Sequence, residues 1–280
     1  MNDQAAGLRE RFRAGARPQP VATTPAIVIG SGKGGVGKSL TAVTFAASLA
    51  SAGRRVLLVD GEQNLGNLHV LLGVHPPVTL TAVVRDGVDP AEIVVPIREN
   101  LWLLPAESGA EALHGLGATD RARLQRQVSG LFADYDVVII DAGAGYDSAV
   151  RCASLRAARL VLVTMPEATA LTDAYALLKI VHGQLPSLPV DVMVNRTLDP
   201  SEGPAAFDRL AAASARFLGR NVSYLGAIPE DDEMRAIARD PRRLLSPASA
   251  GIALSELHRI ATTRLDLPLP VRDERSAPDA

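Results

Sequence analysis

The chain has a single cysteine, Cys152, in 280 residues. One thiol excludes an intrachain disulfide framework and a four-thiolate metal site within one chain. No uninterrupted apolar run reaches the ~18 residues that a membrane-spanning helix requires. The opening stretch, MNDQAAGLRERFRAG, holds no apolar core of the signal-peptide kind. Neither charge is in excess, since 29 basic side chains face 31 acidic ones and the formal net charge is −2. That balance argues against nucleic-acid binding by bulk charge, while leaving room for a local basic patch. The histidines at 69, 75, 114, 182 and 258 show no metal-ligand spacing. What is plentiful is apolar residues, 47% against 21% charged, enough for a sizeable core and too many for a disordered chain. A soluble protein of a reducing compartment, with one or two domains at ~150 residues each, is the expectation.

Along the chain, residues 1–13 read as a short helix carrying Arg9, Arg11 and Arg13, and residues 14–24 have the small-residue, Pro and Thr composition of a linker. Strands are expected at 26–30, 55–59, 101–104, 136–140, 159–164, 190–194 and 223–228. Several are continuously apolar, such as Val137-Val-Ile-Ile140 and Leu160-Val-Leu-Val163, which predicts a sheet covered on both faces. Helices are expected near 38–52, 119–133, 147–156, 168–183, 203–219, 230–239 and 249–265. This alternation predicts an α/β fold in three layers, a doubly wound and mostly parallel sheet. The expected organisation is an arm and linker at 1–24, one domain at 25–265, and a loose Pro-rich, charged tail at 266–280.

Residues 30–39 read GSGKGGVGKS. Gly32, four residues, then Gly37, Lys38 and Ser39 form a complete Walker A motif, between an expected strand and an expected helix. The chemistry demands these residue types. Glycines let backbone N–H groups turn inward around phosphate oxygens, and the helix N-terminus adds its positive dipole end. Lys38 is placed to reach the β- and γ-phosphates, and the Ser39 hydroxyl to hold Mg²⁺. ATP and Mg²⁺ are thus the expected ligands. Two carboxylates, Asp60 and Asp141, close apolar strands at the edge where doubly wound sheets bind ligands.

The second lysine, Lys33 in GKGGVGK, makes the loop resemble the deviant Walker A loop of the MinD/ParA family of dimeric ATPases. That resemblance implies a nucleotide-sandwich homodimer in which Lys33 reaches the partner's phosphates. It places Gly32, Lys33, Gly34, Gly35, Val36, Gly37, Lys38, Ser39 and Leu40 around the nucleotide. It makes Asp141 the Walker B aspartate and Asp60 the first switch aspartate, with Ser39, Asp60 and Asp141 serving the metal. It sets Asn195 and Arg196 beside the adenine and Pro229, in Ile228-Pro229-Glu230, at the closure of the base pocket. Lys33, Lys38, Asp60 and Glu62 would carry the chemistry. Here the chain departs from the family, which has Asp, any residue, Asp where this chain has Asp60-Gly61-Glu62, followed by Gln63 and Asn64. Glutamate keeps the charge but adds a methylene, and a misplacement of about 1 Å costs on the order of 100-fold in rate. Slow or partner-stimulated hydrolysis is expected.

The N-terminal segment Asp3-Gln4-Ala5-Ala6-Gly7-Leu8-Arg9 resembles the activator segment of the flagellar-number regulators of the FlhG/FleN family. Asp3, Gln4, Ala5, Leu8 and Arg9 would then bind an FlhF-type signal-recognition GTPase, with a flagellar transcription regulator as a second partner. Asn67 to Gly73, Pro105 to Gly109 and Pro166 to Ala176 also resemble that family's stretches, so the resemblance runs from residue 3 to about 265. It implies a cytoplasmic protein recruited to the pole or inner membrane through its partners. Two other readings stay open: a ParA-like cargo-positioning ATPase that binds DNA non-specifically, and a nucleotide-binding adaptor with little turnover. The run Arg235, Arg239, Arg242 and Arg243 is read as a solvated helix face rather than a DNA contact. Helix 249–265 is read as packing on the core, and the tail after it has too little apolar surface to hold a bilayer. Cys152 and Trp102 are read as core residues.

Overall fold

Val56-Leu-Leu-Val59 and Val137-Val-Ile-Ile140 have no polar side to turn to water, and both are fully buried in the middle of one sheet. A computed structural model describes residues 24–61, 68–106, 117–155, 157–237, 241–245, 251–265 and 267. Its eight strands are β1 (Ala26–Gly30), β2 (Val56–Gly61), β3 (Val95–Arg98), β4 (Leu101–Leu104), β5 (Val137–Ala142), β6 (Ala157–Thr164), β7 (Val190–Thr197) and β8 (Ser223–Pro229). They lie in the order β3-β4-β2-β5-β1-β6-β7-β8. Every neighbouring pair is parallel except β3 with β4. The expected doubly wound, mostly parallel α/β fold is therefore present.

Alternate residues of each strand feed opposite faces. Ala26 and Val28 join the core on one side of β1, and Ile27 and Ile29 the core on the other. The helices described are α1 (Lys38–Ser51), α2 (Leu68–Leu72), α3 (Leu80–Arg85), α4 (Ala118–Leu131), α5 (Tyr146–Ala153), α6 (Ala168–Gln184), α7 (Glu202–Leu218), α8 (Asp232–Ile237) and α9 (Ile252–Thr263). Helices α1 and α9 cover the face of Ile27, through Val43, Phe45 and Ala46 on one and Ala253, Leu257 and Ile260 on the other. Helices α4 to α7 cover the opposite face, through Leu131, Ala149, Leu177 and Leu210. Helix α9 thus packs on the core, as its spacing predicts.

Three elements depart from the expectation. Strand β3 reads VPIR, a half-buried edge strand whose Pro96 suits an edge and weakens its strand signal. Helices α2 and α3 have five and six residues, too short for helical periodicity to register. Trp102 is only half-buried: its ring meets Tyr135 edge-on at 5.6 Å, and the Arg55 guanidinium lies 5.9 Å from each ring.

The chain reverses direction across the sheet at β1. From there β2 lies to one side, beyond β5, and β6 to the other. That reversal opens a crevice at the carboxyl ends of the strands, where α/β sheets bind ligands.

Candidate functional site

The Walker loop occupies that crevice. It leaves β1 at Gly30 and enters α1 at Lys38. Gly35 and Gly37 take φ of 78° and 95°, the left-handed region open to glycine at little cost. Gly32 is required for a different reason. A Cβ there would lie 2.1 Å from the backbone oxygen of Asp173, because the first turns of α6 press against the loop. The Ser31 hydroxyl donates to the Lys33 carbonyl at 2.7 Å. At the other end of the loop both the backbone N–H and the hydroxyl of Thr41 donate to the Gly37 carbonyl, at 3.0 and 2.9 Å. Lys38 is 9% exposed at the start of α1.

Asp60 and Asp141 sit opposite one another in register on β2 and β5, and both are buried. One Asp60 carboxylate oxygen accepts the N–H of Leu68 at 3.1 Å, which ties the strand end to the start of α2. Carboxylates and a serine hydroxyl are hard oxygen donors of the kind that Mg²⁺ takes, usually along with several waters and substrate phosphate. Ser39, Asp60 and Asp141 fit that ion. When bound, it would screen phosphate charge as the γ-phosphate leaves. Glu62, Gln63 and Asn64 lie outside the described residues, as do Asp3, Gln4, Ala5, Leu8 and Arg9.

Lys33 stands at the mouth of the loop, and its ammonium lies 3.7 Å from the Glu167 carboxylate just ahead of α6. Glu167 is 61% exposed. An ion pair this open to solvent contributes about 0–1 kcal/mol. Lys33 is thus weakly held.

A cavity of about 260 Å³ opens at the far end of the loop. Gly37, Leu40, Asn195, Arg196, Pro229 and Met234 are among its walls, and Ala253 and Leu257 of α9 form part of it. The family resemblance sets Asn195, Arg196 and Pro229 at a base pocket, and the fold brings these three together here with Leu40. It also adds residues whose role here the sequence does not suggest. Glu230 grips the Arg196 guanidinium at 2.7 and 3.3 Å and Arg235 at 2.5 Å. These bonds, that of Arg196 first, hold the Glu230 carboxyl below the usual carboxylate range. Asp231 accepts the N–H of Glu233 at 2.9 Å and that of Ala253 at 3.1 Å, so one carboxylate caps α8 and pins the start of α9 to the cavity. An aspartate ahead of a helix is a legible cap, but nothing in sequence ties it to a residue 22 positions on.

Two arginines of the basic run are engaged by carboxylates. Arg235 pairs with Glu230 and Asp232, and Arg243 with Glu233, while Arg239 lies outside the described residues. Cys152 is buried near the Gly61 carbonyl at 3.8 Å, and burial pushes its thiol up to about 12. Among the described residues no His, Cys, Asp and Glu cluster suits a further metal ion, and no helix is long and apolar enough to cross a membrane.

A phosphate loop opening on a sheet reversal, two strand-end aspartates and an adjoining cavity are the parts of a nucleotide site. Comparison with known proteins decides which kind. A family model described as an AAA domain matches residues 24–185. Antiactivator FleN of Pseudomonas aeruginosa is 31% identical over 244 residues, 87% of each chain. The chain is a MinD/ParA-type P-loop ATPase. Its ligands are ATP and Mg²⁺. The flagellum site-determining protein YlxH of Helicobacter pylori is 30% identical to this ATPase over 254 residues, 88% of this chain and 86% of the other. Among solved structures, the septum site-determining protein MinD of Pyrococcus horikoshii, complexed with Mg-ADP, superposes with a TM-score of 0.68 at 26% identity. That match covers 85% of this ATPase and 94% of the MinD chain.

Proposed function

We propose that this ATPase is a nucleotide-driven switch that regulates the number and placement of flagella. The observation that carries the reading is its similarity to FleN over 87% of the chain, joined to the Asp3–Arg9 segment ahead of the fold. In the proposed cycle Gly32 to Leu40 cradle the phosphates and Lys38 contacts the β- and γ-phosphates. Ser39, Asp60 and Asp141 serve Mg²⁺, and Asn195, Arg196 and Pro229 surround the base. ATP favours a sandwich homodimer. Lys33 then exchanges its weak pairing with Glu167 for the partner's phosphates, a concentrated negative charge in a drier site. The dimer presents the face built by α5 and α6, hydrolysis resets it, and Glu62 helps to position the attacking water.

The proposed partners are an FlhF-type GTPase, bound through Asp3, Gln4, Ala5, Leu8 and Arg9, and a flagellar transcription regulator. The ATPase would work in the cytoplasm and reach the pole or inner membrane through them. A DNA-binding cargo positioner is the poorer reading, because Arg235 and Arg243 are engaged by carboxylates. The deciding experiment measures GTP turnover by an FlhF-type partner with and without a peptide of residues 1–20. Stimulation that disappears with Gln4→Ala is expected. No stimulation would sink the FlhF assignment and leave the ATPase itself standing. Turnover by Glu62→Asp addresses the adaptor reading, since a gain of about 100-fold would mark the natural residue as a poor catalyst.

A further inference from the structure

Asn195 joins the two ends of the nucleotide cleft. It stands near the end of β7, in register with Ile228 of β8. One of its amide N–H groups donates to the Val36 carbonyl of the phosphate loop at 2.8 Å. Its own side-chain oxygen accepts the Arg196 N–H at 3.0 Å. Arg196 in turn has φ of 60° and is gripped by Glu230. The asparagine is therefore fixed from both sides. Its approach to the loop needs glycine at 37, where a Cβ would lie 2.3 Å from the asparagine nitrogen.

Peptide geometry sets the consequence. Across a trans peptide the C=O and the following N–H point in opposite directions. Holding the Val36 carbonyl outward on Asn195 turns the Gly37 N–H inward, toward the space the loop encloses. Glycine at 37 does not by itself enforce that orientation, because it moves freely between conformations. An asparagine amide carries two N–H groups and an oxygen with two lone pairs. With one N–H on Val36, the other remains available to a base in the adjoining cavity that Asn195 lines.

We infer that Asn195 is a positioning residue for phosphate binding, which presets the Gly37 N–H through the Val36 carbonyl and so couples the base cavity to the phosphate loop. This rests on assigning the cleft to the nucleotide and is independent of any flagellar role. A residue that only read the base would affect ATP and leave a base-free triphosphate untouched. A residue that presets the loop must affect both.

The test is calorimetric titration of the full chain with Mg-ATP and with Mg-tripolyphosphate. Met234→Ala alters a wall of the base cavity that has no hydrogen bond to the loop. It is expected to weaken ATP and leave tripolyphosphate within about twofold. Asn195→Ala is expected to weaken both ligands by about five- to tenfold, the upper part of the range for one lost hydrogen bond. Loss confined to ATP would overturn the inference, and so would a wild-type chain that binds no tripolyphosphate. If neither substitution changed either ligand, the assignment of the cleft itself would fall instead. Should Asn195→Ala fail to fold, the wild-type chain still answers through NMR. The Asn195 side-chain amide resonances must shift on adding tripolyphosphate, and unshifted resonances would refute the coupling.

Discussion

The two ends of the proposed nucleotide cleft, one for phosphate and one for the base, are built by different means. The phosphate end is one continuous segment, Gly30 to Ser39, whose donors are backbone groups joined by the Lys38 ammonium and whose shape comes from glycine. The base end is assembled from β7, β8, α8 and α9 around the start of α1, residues drawn from 37 to 257, and is held by side-chain bonds of Asn195, Arg196, Glu230, Asp231 and Arg235. A phosphate presents the same oxygens wherever it occurs, so a local backbone form can recognise it. A base presents an edge and two faces, and no single segment can surround it. The phosphate end therefore depends on a few positions that tolerate nothing else, and the base end on many partial contributions.

Substitutions can break or sharpen that contrast. The largest effect is expected from Lys38→Ala, which removes the buried cation of the phosphate loop: ATP turnover should fall by about 100- to 1,000-fold while the melting temperature stays near wild type. A loss below tenfold would show that the backbone alone carries the phosphate end. Gly32→Ala comes next. Its methyl group would collide with the Asp173 carbonyl, and forced overpacking costs about 1–3 kcal/mol. Thermal unfolding should drop by roughly 2–4 °C per kcal/mol, together with ATP binding. An unchanged melt would mean that α6 is not pressed against the loop.

At the base end, Glu230→Gln should weaken ATP by only about two- to fivefold, as expected for a rim ion pair, without altering tripolyphosphate binding. The sign of its pH dependence follows from the lowered carboxyl. Stability from the Arg196–Glu230–Arg235 clamp is present above the ordinary glutamate range and is lost as pH falls through the lower folded-state value. The clamp should therefore be intact at neutral pH, and the wild type should lose its advantage over Glu230→Gln only in acid, as read from paired denaturant melts. The smallest effect concerns neither end. Cys152, protonated and buried, should resist a thiol reagent at pH 8 in the native chain and react promptly when unfolded. Rapid native labelling would reveal an opening between β2 and α5.

The same contrast explains what could be read from the sequence. Seven of the eight strands described are visible as apolar segments, several of them the continuous runs that a covered sheet demands, whereas Val95-Pro-Ile-Arg98 hides behind its proline and its half-exposed edge position. Helices α2 and α3 end before a helical period can repeat. In the site, Gly32 to Ser39 announce themselves because phosphate chemistry restricts residue type at fixed local spacing, and Asp60 and Asp141 because they close apolar strands. Asn195, Arg196 and Pro229 emerge only through resemblance. The grip of Glu230 on two arginines, the double capping by Asp231 and the contribution of Ala253 and Leu257 have no local signature, since each depends on a partner outside its own segment.

Sequence by itself determined the layered sheet and the place of the phosphate loop within it, because apolar periodicity and the glycine–lysine spacing act over a few residues; the kind of ATPase came through resemblance. Only the tertiary structure decided why Gly32 admits no side chain, where Lys33 rests, and that Asn195 holds the Val36 carbonyl. Each of those facts is a contact between segments more than a hundred residues apart, which chain folding creates and local spacing does not encode.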